Sequence, residues 1–276
     1  MLRVKSTSGE TPRLEEFIYW VSELYRSDHY PPHCYLVYDL IYEPERAEVI
    51  LDSADRPSSY MLVYRASRWI GVHVWGPHGY ELVRELRLDP SKPVVVELYS
   101  DEQALVDRVV ERLKSLGYVE VSIRRFHDMI CTPGSFNPAP FEGLAVRVTP
   151  DRAEDFVAFK RRGGFEVDYE EARALLTKRL YYGVYVDREL VSAGAVCLRL
   201  PELGIVCDVY TLPEHRGRGY AKAVTSVATR SIVCAGIAAL LCVEEGNEPA
   251  VRVYKKLGYR VFRTRTWVFA KPPTSR

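Results

Sequence analysis

The chain has 276 residues, with 38 Lys and Arg against 37 Asp and Glu, so its formal net charge is +1. That balance excludes a global field that would recruit nucleic acid or a membrane surface, and no run approaches the ~18 apolar residues of a spanning helix. The length exceeds the ~100–200 residues of a typical domain and predicts two of them.

The start, Met1-Leu2-Arg3-Val4-Lys5-Ser6, lacks the apolar core of a signal peptide, so a cytoplasmic location is the expectation. Residues 12–26 read as a helix, because Phe17, Trp20, Val21, Leu24 and Tyr25 recur at helical spacing. Pro31-Pro32 ends that element. Residues 35–42 and 46–52 read as two strands about a Glu43-Pro44-Glu45 turn. Residues 60–65 and 69–75 read as a second hairpin. A short helix over 79–86, a strand over 94–99, a helix over 101–116 capped by Asp101 or Ser100, and a strand over 118–124 follow. Residues 127–143, with Pro133, Gly134, Pro138, Pro140 and Gly143, read as a linker. Its Phe136 and Phe141 predict that it packs against a domain rather than floats.

After the linker come a strand over 145–148, a helix from Pro150 to about Lys160, a break at Arg161-Arg162-Gly163-Gly164-Phe165 and a helix over 169–180. Two strands, 181–186 and 190–200, turn about Asp187-Arg188, and a third covers 203–212. A glycine-rich turn, Arg216-Gly217-Arg218-Gly219-Tyr220, leads into a helix from Tyr220 to about Ala235. An apolar strand over 238–243, a helix ending at Leu257-Gly258-Tyr259 and a strand-like tail to Lys271 close the chain. The first half runs in a similar order, with Trp75-Gly76-Pro77-His78-Gly79-Tyr80 in place of the turn and Leu116-Gly117-Tyr118 at the later helix end. This predicts an internal duplication whose first copy is worn: its loop has no arginine.

Cys34, Cys131, Cys197, Cys207, Cys234 and Cys242 form no Cys-x-x-Cys pair, and buried free thiols are the expectation. The six histidines do not join them at ligand spacing, so no metal is expected. Gln103 is the only glutamine, Asn137 and Asn247 are the only asparagines, and arginine outnumbers lysine 29 to 9. Scarce thermolabile amides predict a heat-adapted source.

Strand, glycine turn and helix in sequence make a phosphate cradle. Glycines let backbone N–H groups approach an anion, and the helix start adds unpaired donors and a positive dipole end. No Lys-Ser or Lys-Thr follows, which excludes the Walker loop. Lys222 stands where a dinucleotide fingerprint needs its third glycine. What fits is Arg-x-x-Gly-x-Ala at Arg216, Gly219 and Ala221, which resembles the acyl-CoA pyrophosphate loop of the GNAT N-acetyltransferase superfamily. About thirty residues on, Asn247, Ala250, Tyr254, Gly258 and Tyr259 resemble that superfamily's second signature. The resemblance covers roughly residues 145–270, and the tandem halves also resemble the glycine N-acyltransferase-like branch.

The resemblance implies an α/β (α+β) GNAT fold with a mixed, splayed central sheet flanked by helices. A degenerate GNAT-like domain at 1–126 and a linker at 127–144 precede the GNAT domain at 145–276. It implies acetyl-CoA as co-substrate, no metal, direct attack by a primary amine, and a monomer or homodimer without nucleic-acid or membrane partners. The pantetheine arm would lie against backbone at Val209, Tyr210 and Thr211. The pyrophosphate would lie on Arg216, Gly217, Arg218, Gly219, Tyr220 and Ala221, with Asn247 nearby. Tyr254 would protonate the leaving thiolate. Asp208 and Glu244 are the candidate bases, and Glu166 or Asp168 could touch the acceptor. A non-catalytic acyl-CoA-binding module is the alternative.

Overall fold

In the computed structural model, which describes residues 3–100 and 102–273, the elements run β1 (Arg3–Ser6), α1 (Leu14–Ser27), α2 (His33–Tyr42), β2 (Ala47–Leu51), β3 (Tyr60–Arg65), β4 (Ile70–Trp75), α3 (Gly79–Leu82), β5 (Val94–Leu98), α4 (Gln103–Ser115) and β6 (Glu120–Cys131). They continue with β7 (Ala145–Val148), α5 (Ala153–Arg162), α6 (Tyr169–Lys178), β8 (Leu180–Val186), β9 (Glu189–Arg199), β10 (Leu203–Thr211), α7 (Tyr220–Val233), β11 (Ala238–Glu244), α8 (Glu248–Lys256) and β12 (Arg260–Lys271). The second ten elements repeat the order of the first ten.

The chain divides into a first unit, Met1–Phe126 with Thr264–Arg276, and a second, His127–Arg263. It leaves the first unit within β6 and returns within β12. Residues 266–270 of the tail pair antiparallel with β5, so the last ten described residues belong with the first unit rather than with the 145–276 domain read from the sequence.

The sheet of the first unit runs β1-β2-β3-β4-β5-β12. Its strands alternate faces, as period-two geometry requires. Ile50, Met61 and Val63 pack with Val106 and Val109 of α4, while Val49, Leu51 and Leu62 pack with Phe17 and Val21 of α1. Helices therefore cover both faces, which is why these strands read as continuous apolar runs.

Residues 35–42, expected as a strand, lie in α2. Tyr, Val and Ile favour strands locally, but Cys34, Leu36 and Asp39 are buried within the helix, and tertiary packing overrides propensity. The proposed cap Asp101 lies outside the described residues; Glu102 N–H donates to Ser100 Oγ at 3.3 Å. Cys197 and Cys207 are joined by a disulfide between β9 and β10 rather than being thiols; Cys34, Cys131, Cys234 and Cys242 are in no disulfide.

The second unit has the sheet order β11-β10-β9-β8-β7. Phe156 and Phe159 of α5 and Ala172 and Leu176 of α6 cover one apolar cluster; Val251 and Tyr254 of α8, with Leu257 just after it, join another. Residues 127–131, expected in the linker, continue β6, and the rest straps the unit. Asn137 N–H and its side-chain amide donate to the carbonyls of Leu257 and Lys256 at the end of α8 (3.0 and 3.1 Å). Ala139 N–H donates to Ser226 Oγ at 2.9 Å, and Glu142 pairs with Arg230.

Both units end their last helix in the same way. After α8, Gly258 has φ +96°, with Tyr259 N–H donating to Tyr254 C=O and Gly258 N–H to Lys255 C=O. After α4, Gly117 has φ +94°, with Tyr118 donating to Leu113 and Gly117 to Lys114. These are Schellman caps, and the left-handed position is why Leu-Gly-Tyr recurs.

Candidate functional site

The site begins where two parallel strands part. β10 and β11 pair only at Leu203↔Ala238, Gly204↔Ala239 and Ile205↔Leu240. Residues 206–211 and 241–244 have no pairing with each other. The cause lies in β10, whose register against β9 shifts between Ile205 and Val206 and again between Cys207 and Tyr210. Within that second bulge Asp208 has φ +53°. Bulges bend a strand and raise its local twist, and a left-handed non-glycine residue stores strain of about 1–2 kcal/mol. Asp tolerates that conformation better than most residues.

Three side chains hold the bulge. Lys160 Nζ donates to both carboxylate oxygens of Asp208 at 2.7 Å, and Tyr181 Oη donates to Oδ2 at 2.7 Å. Lys160 is 6% and Tyr181 0% exposed. The ammonium also stands 5.0 Å from the Phe165 ring centre and 5.3 Å from that of Phe156. Burial, then the charge of Asp208, push the Tyr181 phenol far above its ordinary range. Asp208, expected as a candidate base, thus has both oxygens occupied. Glu244, the other candidate, ends β11 half-buried on the far side of the gap. Of the two acidic residues expected near the acceptor, Asp168 caps α6, accepting from Glu171 N–H at 2.8 Å, and Glu166 lies in the loop before it.

After β10 a single 3₁₀ turn, Pro213–His215, leads into the loop. Gly217 and Gly219 have φ +77° and +81°. Gly219 is the N-cap of α7 and brings no side chain to satisfy the first turn. His215 N–H donates to Leu212 and Arg216 N–H to Pro213, and the next amide with a partner is Ala223. Among the described residues, the amides from Gly217 to Lys222 donate to no protein acceptor. Six free donors on a helix start, beside Arg216 and Arg218, are the kind of group that could hold an anion. Arg216 Nε donates to Thr211 C=O at 3.1 Å, and its guanidinium lies 5.6 Å over the Tyr210 ring. A methyl at Gly219 would come within 2.8 Å of the Phe141 ring.

Tyr254 sits on α8, 8% exposed, and burial raises its phenol to about 12. It belongs to the apolar cluster that holds Val206, Val209, Leu241 and Val243, the strand residues just past the last paired position. Asn247 is the N-cap of α8, its Oδ1 accepting from Ala250 N–H at 3.3 Å. Tyr210 and Thr211 still pair with β9; Val209 is in the bulge, where Gly194 lets it close to 3.1 Å of a would-be Cβ. Val209 and Tyr254 thus share one apolar cluster where β10 and β11 part, and the 216–221 loop follows β10 in the chain. Sequence reasoning missed Lys160, Tyr181 and Phe141. The available signal was a lysine at helical spacing from Phe156 on an otherwise apolar face.

Among the described residues there is no cluster of three or more His, Cys, Asp or Glu that could hold a metal ion, and no helix long and apolar enough to cross a membrane.

Residues 181–268 match the family described as FR47-like protein. No curated protein sequence matches the chain. Among solved structures, a GCN5-related N-acetyltransferase-like protein from Streptococcus suis is 15% identical with a TM-score of 0.58, covering 82% of this chain and 89% of that one. A GCN5-related N-acetyltransferase from Sphaerobacter thermophilus is 15% identical with a TM-score of 0.56, covering 90% of each chain. A tandem GNAT protein from the clavulanic acid biosynthesis pathway is 12% identical with a TM-score of 0.53, covering 95% and 96%. The chain has the GNAT fold.

Proposed function

We propose that the second unit is an N-acetyltransferase that takes an acetyl (acyl) group from acetyl-CoA and passes it to a primary amine by direct attack. The gap between β10 and β11, ending on six unpartnered amides, carries this reading. A strand-like pantetheine arm fits an edge that lacks its neighbour, and a diphosphate fits free main-chain donors flanked by two arginines.

In this reading Arg216, Arg218 and the amides of 217–222 hold the diphosphate. The backbone near Val209 faces the thioester carbonyl and stabilises negative charge as the amine adds. The C–N bond forms, the C–S bond breaks, and the electron pair goes to sulfur. Tyr254 meets that charge. A phenol raised to about 12 against a thiol near ~8.5 makes full transfer uphill by about 5 kcal/mol. Tyr254 therefore stabilises the thiolate by hydrogen bonding, and the proton shed by the amine finally reaches the sulfur. With Asp208 occupied, Glu244 is the better placed carboxylate to accept that amine proton.

Binding without turnover is the second reading, favoured by the engagement of Asp208 with Lys160. A thiol-release assay with acetyl-CoA and a panel of amino acids, lysine peptides and polyamines separates the two. Release that depends on an amine and falls in Tyr254→Phe supports the enzyme. CoA binding with no release on any amine supports the module.

A further inference from the structure

We propose that Lys160, Tyr181 and Asp208 are the latch that keeps the acyl-CoA gap open, and that Asp208 is a positioning residue rather than the base. The inference rests on the acyltransferase reading for its functional readout, but its structural grounds are independent. Three observations converge on one residue. Asp208 is the left-handed residue at the point where β10 leaves register. Its carboxylate accepts three hydrogen bonds of 2.7 Å, one from a tyrosine that is 0% exposed and two from a lysine that is 6% exposed. Lys160 reaches it from α5, across the aromatic pair Phe156 and Phe165.

A residue in a costly backbone conformation persists only where its surroundings over-determine it. Here the surroundings are an ammonium and a phenol anchored in the core of the unit, and the Cys197–Cys207 disulfide ties β9 to β10 just before the bulge. Pulling Asp208 toward α5 and β8 turns β10 away from β11 after Ile205. The same contacts fill three of the carboxylate's acceptor positions, so a substrate ammonium would have to displace Lys160 or Tyr181 to reach it.

The test compares CoA affinity by calorimetry with the pH dependence of turnover in Lys160→Met, Lys160→Arg, Tyr181→Phe and Asp208→Asn. The latch predicts that Lys160→Met weakens CoA binding at least about tenfold, that Lys160→Arg restores it to within about threefold, and that Asp208→Asn keeps the acidic limb of the pH profile. Loss of that limb in Asp208→Asn, with kcat down about a hundredfold and CoA affinity unchanged, would make Asp208 the base and overturn the proposal. Unchanged CoA affinity in folded Lys160→Met would overturn it as well.

Because a half-broken buried pair can unfold a protein, Tyr181→Phe and the neutral double variant Lys160→Met/Asp208→Asn give the same reading, with weakened affinity expected and unchanged affinity contrary. If the wild-type protein does not bind CoA, the acyltransferase reading fails alone. The latch is then decided by hydrogen exchange in the free protein, where Lys160→Met speeds exchange of residues 206–211 about tenfold over wild type or, by leaving it unchanged, refutes the latch.

Discussion

The two units of this chain treat the same pair of strands in opposite ways. In the first, β4 and β5 are parallel neighbours paired at five positions, from Ile70↔Val94 to Val74↔Leu98, and Tyr99 N–H extends the ladder to Val74 C=O. In the second, the corresponding β10 and β11 pair at three and part. Polar side chains decide the difference. His73 and Glu97 face each other across β4 and β5; Tyr99 Oη lies 3.3 Å from both, and Arg265 Nη1 donates to Glu97 at 2.7 Å. That cluster staples the strands together. In the second unit the polar cluster pulls one strand aside. The loops differ accordingly: Ser59 Oγ accepts from His78 N–H in the first unit, whereas the amides after Arg216 have no protein partner. The shared element order supplies a frame, and a few polar side chains determine whether it opens.

The comparison can be broken most decisively at Tyr254, which has no counterpart evident in α4. Tyr254→Phe should lower kcat by ~10²–10³ while CoA affinity stays close to wild type, read in steady-state kinetics and calorimetry. The staple of the first unit comes next. Arg265→Met leaves Glu97 buried without its cation and should cost about 3–5 kcal/mol in urea melts, with CoA affinity in the folded protein unchanged. Loss of CoA affinity there would show that the units are not functionally separate.

Alkaline pH sharpens the contrast further. The Tyr254 phenol is raised to about 12 in the folded chain, so its stabilising effect is complete below the unfolded value near ~10 and is lost as pH climbs to about 12. Wild type should lose about 2 kcal/mol over that window that Tyr254→Phe does not lose, in paired melts at pH 9 and 12. The two Schellman glycines give the smallest effect. Gly117→Ala meets only Pro90 at 3.8 Å and should cost about 1 kcal/mol. Gly258→Ala would drive a methyl into the Ser135 carbonyl of the strap, adding about 1–3 kcal/mol.

What was legible in the sequence was whatever rests on local chemistry. Gly217 and Gly219 stand where the backbone turns left-handed, and Gly117 and Gly258 end helices, because only a residue without a Cβ accepts those angles cheaply. The mixed GNAT fold and the loop could be read on that basis. The latch could not, because Lys160 and Asp208 are 48 residues apart: Lys160 reads only as the end of a helix, and Asp208 reads as a candidate base. Helix α2 was hidden by Tyr, Val and Ile, whose strand preference yields to burial of Cys34 and Leu36. The strap was hidden by its prolines and glycines, which mark a loop but not the helix end that Asn137 caps. The return of residues 264–273 to the first unit was hidden because alternation identifies a strand and not its neighbour.

Calorimetric titration with CoA tests the central claim most directly. The account predicts one site per chain, with affinity falling at least about a hundredfold in Gly219→Val, whose side chain would meet a forbidden φ and the Phe141 ring. Two equivalent sites, or one site that survives Gly219→Val intact, would contradict it.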